Sequence, residues 1–353
     1  MLKTKHVIIF MTIIVIVAST ALIILRAIYQ NTSELDRGLL RATANGDLEK
    51  VKLLIKKGAD INAINKDSPY EDCSALMVAT LKRHFDIIKY LVENGADLNI
   101  VAPGAGHFYF GTALIMASQE GNFGIVDYLV VNGADVNVFA TGIGNLYFGT
   151  ALMMASIEGH LDIVKYLVNH GADVNIIAIG YRDYGTALMM ASQKGHLDIV
   201  KFLVDSGANV NIIATCYAFS GTALIMASKE GHLDIVKFLV DSGANVNIIA
   251  NSEIYDTKLY SGTALIFASQ EGHLDIVKFL VDNGADVNII ASGDVYNGTA
   301  LMMASEQGHL DIVKFLVEKR ADITIKNKYG KTALDLAQER KHEDIVKFLN
   351  GEN

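Results

Sequence analysis

The sequence has no tryptophan, two prolines and two cysteines in 353 residues, and only 20% of it is charged. Two prolines exclude a proline-rich linker or a collagen-like chain. Sparse charge, 51% hydrophobic residues and a mean hydropathy of +0.30 exclude a disordered one. Cys73 and Cys216 cannot build a disulfide framework and fit reduced thiols. A basic stripe is also lacking. Residues 1–41 hold Lys3, Lys5, Arg26, Arg37 and Arg41 against Glu34 and Asp36, so 25 basic and 37 acidic residues remain beyond them. A body this acidic argues against nucleic acid, because neutralising phosphates supplies most of that affinity.

One long apolar run is present. Val7 to Leu25 are 19 consecutive uncharged residues, flanked by Lys5 and His6 before and Arg26 after. As a helix they would span about 28 Å at 1.5 Å per residue, close to a hydrocarbon core of roughly 30 Å. We therefore read residues 7–25 as a membrane segment. The alternative is a cleaved secretory signal, with Lys3 and Lys5 as its basic start and Ser19-Thr20-Ala21 as its cleavage site. Against cleavage, the apolar text continues through Leu22-Ile23-Ile24-Leu25. The basic residues on the two flanks nearly balance, so the positive-inside rule gives no orientation.

Behind this segment one motif is written many times. Gly149 to Ala178 reads GTALMMASIEGHLDIVKYLVNHGADVNIIA, and the T-A-L position recurs at Ser74, Thr112, Thr150, Thr186, Thr222, Thr263, Thr299 and Thr332. The intervals are 38, 38, 36, 36, 41, 36 and 33 residues, which signals a solenoid of stacked units. Thr150 predicts an N-cap before a short helix, Ala151 to about Glu158, with Leu152 and Ala155 on one face. Gly159-His160 breaks the chain, and a second helix is expected from about Leu161 to Asn169. Its half-buried stripe is Leu161, Val164, Leu167 and Val168. Gly171 stands where a helix end needs a left-handed residue. Asp162 and Lys165, three apart, predict a weak helix-supporting ion pair that recurs down the chain.

These residues resemble the ankyrin repeat family, over roughly Asp36 to Asn353. The resemblance rests on T-A-L, Gly-His-Leu-Asp-Ile-Val and Gly-Ala-Asp-Val-Asn or Gly-Ala-Asn-Val-Asn. It implies an all-α repeat solenoid of helix-turn-helix layers with β-hairpin fingers, and a protein-binding, non-catalytic role. The family's T-P-L-H becomes Ala151 and Met153, Ala187 and Met189, or Ala223 and Ile225, so the family histidine that ties neighbouring loops is missing and apolar packing is expected in its place. Arg320 replaces a helix-ending glycine, which costs about 1 kcal/mol if it is left-handed. The expected organisation is a transmembrane helix or signal anchor at 1–28, a linker at 29–35 and repeats at 36–353, the first unit (36–62) lacking the T-A-L start.

The departures in length fall in one place. From the Asn of V-N to the next T-A-L start the interval is 11 positions from Asn288 to Thr299, 13 from Asn137 to Thr150 and 16 from Asn247 to Thr263. The last junction, Thr324 to Thr332, has 8. Insertions confined to one place per repeat project from one face, often the binding face. These fingers are aromatic: His107-Phe108-Tyr109-Phe110, Tyr147-Phe148, Tyr181, Tyr184, Tyr217, Phe219, Tyr255, Tyr260 and Tyr296. Two readings stand: rings packed between stacked fingers, and amphipathic anchors for a protein partner.

A search for chemistry finds little. Ser192, His196 and Asp198 imitate a hydrolytic triad but recur as fixed parts of the repeat, without a nucleophile-elbow context. His160, His196, His232, His273 and His309 are too far apart, at about 8 to 10 Å per layer, to share a zinc ion. Gly104-x-Gly106 and Gly142-x-Gly144 lack the rest of a phosphate loop. Asn31-Thr32-Ser33 and Asn297-Gly298-Thr299 match the glycosylation sequon. The expectation is a membrane-tethered, single-pass scaffold for a protein partner, with no catalytic, cofactor, metal, small-molecule or nucleic-acid site. The alternative is a secreted effector of a host-associated microbe.

Overall fold

The computed structural model describes residues 34–64, 73–102, 111–141, 148–178, 185–215, 220–254, 257–293 and 297–352. They form two compact units divided between Ala113 and Leu114. In the first, α1 (Glu34–Ala44) pairs with α2 (Leu48–Lys56) and α3 (Ala75–Leu81) with α4 (Phe85–Glu93), while α1 packs on α3 and α2 on α4. Helix α1 starts two residues before the boundary expected at 36. It has no T-A-L cap. Instead the buried Asp36 carboxylate accepts the N–H of Asp60 at 2.7 Å, fixing the turn after α2.

Helix α5 (Ala113–Gln119) starts at the division and is followed by α6 (Phe123–Val131). Five helix pairs then repeat: α7 (Ala151–Glu158) and α8 (Leu161–Asn169), α9 (Ala187–Lys194) and α10 (Leu197–Asp205), α11 (Ala223–Glu230) and α12 (Leu233–Asp241), α13 (Ala264–Glu271) and α14 (Leu274–Asp282), α15 (Ala300–Gln307) and α16 (Leu310–Glu318). The last pair is α17 (Ala333–Arg340) and α18 (Glu343–Leu349). From α7 to α17, each first helix packs on the first helix of the next layer. From α6 to α18, the second helices form a parallel row.

The two helices of a layer bury different amounts for a simple reason. A first helix touches a neighbour on each side and its own partner, so Ala151 through Ser156 are all buried and the helix has no polar face. The second helix packs on its own first helix and on its neighbours in the row, and its outer face is exposed. Its core is Ile163, Val164 and Leu167, with Leu161 and Val168 half-buried at the edges, so the stripe read from the sequence is shifted: Ile163 belongs to it. The expected Asp162–Lys165 pair is not among the ion pairs of the described residues. The Asp162 carboxylate accepts the N–H of Ile163 at 2.9 Å, and Lys165 reaches across to the next layer, its ammonium 5.9 Å from the Phe202 ring centre. Lys201 on Phe238, Lys278 on Phe315 and Lys314 on Phe348 repeat this contact, worth about 0.5 to 1 kcal/mol at an exposed site. Asp127 breaks the lysine column. There the next aromatic is Tyr166, whose phenol is pushed up to about 12 by burial and the Asp127 carboxylate.

Caps follow the sequence. The hydroxyls of Thr186, Thr222, Thr263 and Thr299 accept the N–H three residues on at 3.2 to 3.3 Å, and Thr150 does so at 3.4 Å. Methionine takes the reciprocal part of the cap: the Met153 sulfur accepts the Thr150 N–H at 3.4 Å, and Met77 serves Ser74 at 3.3 Å. A buried thioether can do this with no charge to desolvate. In the α17 layer the position is half-exposed, and Asp335 replaces Met with two bonds of 2.7 Å from Thr332.

Met153, Met189 and Ile225, which stand where the family has its histidine, are buried in the packing, and the layers are tied by polar bonds from another position as well. The turn histidine of one layer donates Nε2–H to a carbonyl near the end of the preceding first helix: His160 to Gln119 at 3.0 Å, His196 to Ile157 at 3.1 Å, His232 to Gln193 at 3.0 Å, His273 to Lys229 at 3.0 Å and His309 to Gln270 at 2.9 Å. A carbonyl only accepts, so Nε2 carries the proton. The bond requires the ring to lie against the preceding turn glycine. A Cβ on Gly195 would stand 2.7 Å from His232 Cε1, and Gly159, Gly231 and Gly272 meet their histidines at the same distance. The glycine is replaced by left-handed Lys341 after α17, and by Arg83, where the following repeat carries Asn122 at the turn.

Candidate interaction face

The extra residues of each long repeat lie between the second helix and the next first helix, in a hairpin finger. The bases of four fingers are antiparallel strand pairs: β1 (Ala140–Thr141) with β2 (Phe148–Gly149), β3 (Ala214–Thr215) with β4 (Ser220–Gly221), β5 (Ala250–Ile254) with β6 (Thr257–Gly262), and β7 (Ala291–Ser292) with β8 (Asn297–Gly298). Single bridges, Ile64 to Ser74, Ala102 to Gly111 and Ala178 to Gly185, close three more. The finger of the 41-residue interval has the longest strands. A register shift between Asn251 and Glu253 absorbs an unpaired residue. Neighbouring fingers lie side by side, β4 against β5 and β6 against β7, without shared ladder bonds.

Each finger is anchored at its base. The carboxamide of Asn175 accepts the N–H of Asn209 at 2.9 Å and donates to the Gly207 carbonyl at 3.2 Å. Asn211 holds Asn245 and Gly243, and Asn247 holds Asp286 and Gly284, in the same way. The Asp or Asn two residues earlier accepts the N–H of this asparagine, as Asp173 does from Asn175 at 2.9 Å. Asparagine is the residue that can both donate and accept across one layer, so the V-N pair forms a repeat-to-repeat ladder. It stops where Thr324 replaces it. There the Thr324 hydroxyl and N–H both bond to Asp322, holding that carboxyl below its usual range.

Tyr109, Phe110, Tyr147, Tyr181, Tyr184, Tyr217, Phe219, Tyr255 and Tyr296 lie outside the described residues, as do the Gly104 and Gly142 segments. Phe148 is placed by backbone register opposite Thr141, and Tyr260 lies within β6.

The imitation triad is not a relay. Ser192 is fully buried, His196 is spent on Ile157, and Asp198 accepts the N–H of Ile199. The sequon at Asn297 is closed in the fold. The residue is 6% exposed, its amide donates to Gly293 at 3.0 Å, and its oxygen accepts from Lys328 at 2.8 Å. The other sequon, at Asn31, lies outside the described residues, as does Val7 to Leu25. Among the described residues no helix is long and apolar enough to cross a membrane.

Capped paired helices, glycine-histidine turns and an asparagine ladder at the finger bases together define the repeat. A family model described as "Ankyrin repeats (3 copies)" matches residues 39–140, 139–214, 213–291 and 290–353. The chain belongs to the ankyrin repeat family. No curated protein matches it. Ankyrin repeats are protein–protein interaction modules, and in this ankyrin array the helix pairs from α7 to α16 keep one length while finger length varies. Sequence reading missed the polar work of the turn histidines and of the V-N asparagines. The signal was their recurrence at one place in nearly every layer.

Proposed function

We propose that the protein is a membrane-tethered ankyrin scaffold, anchored by residues 7–25, joined to the repeats by a linker that ends before Glu34, and binding a protein partner through its fingers. The observation that supports this is the confinement of length variation to the fingers. First helices are buried all round and second helices differ little from layer to layer, so the fingers are where partner choice can vary without disturbing the stack. The 19-residue uncharged run supports the anchor. Anchoring predicts an intact Met1 terminus in a carbonate-washed membrane fraction; soluble protein beginning near Leu22 instead supports a secreted effector. For binding, replacing Tyr147, Tyr184 and Tyr217 together weakens partner capture while the melt stays nearly unchanged. A lowered melt with capture retained assigns the rings to finger stacking.

A further inference from the structure

Resting on that scaffold reading, we propose that Ile177, Ile213, Ile249 and Ile290 form a docking strip for an extended, basic segment of the partner that carries an apolar residue at every third position. These isoleucines occupy one place in four successive layers, the residue before each finger's first pairing position. They are 41%, 43%, 39% and 47% exposed. Single exposed aliphatics are ordinary, but a file of them on stacked layers is a continuous apolar line. A β-branched residue suits the entry to a strand, and threonine would satisfy that in water; four isoleucines at this exposed place are not explained by strand preference. The line ends where the last layer puts exposed Lys326 at the equivalent place.

Charge and spacing indicate the occupant. The four segments 169–178, 205–214, 241–250 and 282–291 that carry the strip contain exposed Asp173, Asp205, Asp241 and Asp286 and no lysine or arginine, while Asp282 is paired with Lys319 at 2.9 Å. An apolar line beside carboxylates of one sign fits a segment with both aliphatic and basic side chains. Stacked helices lie about 8 to 10 Å apart. A polyproline-II chain brings every third side chain to one side at about 9.3 Å, one per layer.

The test is fluorescence anisotropy on the full chain in phosphatidylcholine nanodiscs, with empty nanodiscs as the blank. The probe is a labelled 15-residue peptide with Leu at every third position and Lys and Gln between. It is expected to bind, more weakly as salt rises, and at least tenfold more weakly to the variant I177T/I213T/I249T/I290T. The variant D173N/D205N/D241N/D286N should show a similar loss. Asn209 and Asn245 already fill the Asp173 and Asp286 place in two layers, so this second variant carries the test if the first melts early. Equal binding of a peptide with Glu for Lys, or with Gln for Leu, overturns the proposal, as does unchanged affinity in the isoleucine variant. A synthetic peptide of residues 1–33 binding more tightly than the probe overturns the partner assignment in favour of the chain's own N-terminus. If the probe fails while the tyrosine variant still loses partner capture, the strip is wrong and the scaffold reading stands.

Discussion

Gly195 and Gly207 sit one helix apart with nearly the same backbone, φ +82° and +91°, but different surroundings. Alanine at Gly207 meets nothing within 4 Å. It incurs only the left-handed penalty of about 1 to 2 kcal/mol, partly offset by a stiffer unfolded chain, for a net of about 1 kcal/mol. Alanine at Gly195 incurs the same penalty and also places Cβ 2.7 Å from His232 Cε1. The ring must move, and its 3.0 Å bond to Gln193 is lost, adding about 1 kcal/mol for the bond and more for the disturbed packing. The expected costs are therefore about 1 kcal/mol for Gly207→Ala and about 2 to 3 kcal/mol for Gly195→Ala. They are read as urea midpoint shifts at constant slope. A double-mutant cycle isolates the cause: in a His232→Ala background, Gly195→Ala should fall back to about 1 kcal/mol. Equal costs for the two glycines, or strict additivity in the cycle, would refute the idea that the turn glycine is required by the next layer's histidine.

Arg320 is left-handed at φ +66° in the Gly207 place, so Arg320→Gly should raise the urea midpoint by the equivalent of about 1 kcal/mol. Asn247→Ala breaks both ladder bonds of one junction and should cost about 1 to 2 kcal/mol, and Asn247→Asp, which keeps only the acceptor, should lie between; identical melts for all three forms would remove the ladder from the stability argument. Asp335→Ala deletes the last polar cap for about 1 kcal/mol at neutral pH. The Thr332 N–H and hydroxyl hold the Asp335 carboxyl below its usual range, so its contribution is present above the unfolded pKa of about 3.9 and lost as pH falls through the folded one. The gap between the melts of wild type and variant should therefore begin to narrow only as pH falls below about 4 and keep shrinking with further acidification; a gap independent of pH across that range would contradict this cap.

Much of the fold was legible because each layer obeys local rules. Thr150 capping, the bounds of both helices, left-handed Gly171 and the placement of every insertion in a finger follow from hydrogen-bonding and backbone chemistry within about thirty residues. What was misread depends on residues in the next layer. Lys165 has a nearby acid in the text but an aromatic ring across the layer gap, and a contact with a half-buried ring competes with a flexible surface ion pair that contributes no more. Ile163 looked like the wrong phase of a helical stripe, yet the second helix is pressed on its own first helix and on its neighbours, which widens the buried face.

The sequence by itself determined the period, the family, the helix ends and the location of the variable segments, since these are set by composition and by contacts a few residues apart. Tertiary structure decided what the repeated polar residues do. His196 and Asn175 are both surface-type residues in the text. Only stacking brings a carbonyl some 40 residues away to one and a backbone loop 34 residues away to the other. The scarcity of proline and charge therefore describes the interior of each layer, while the bonds between layers come from histidine and asparagine whose partners exist only once the stack has formed.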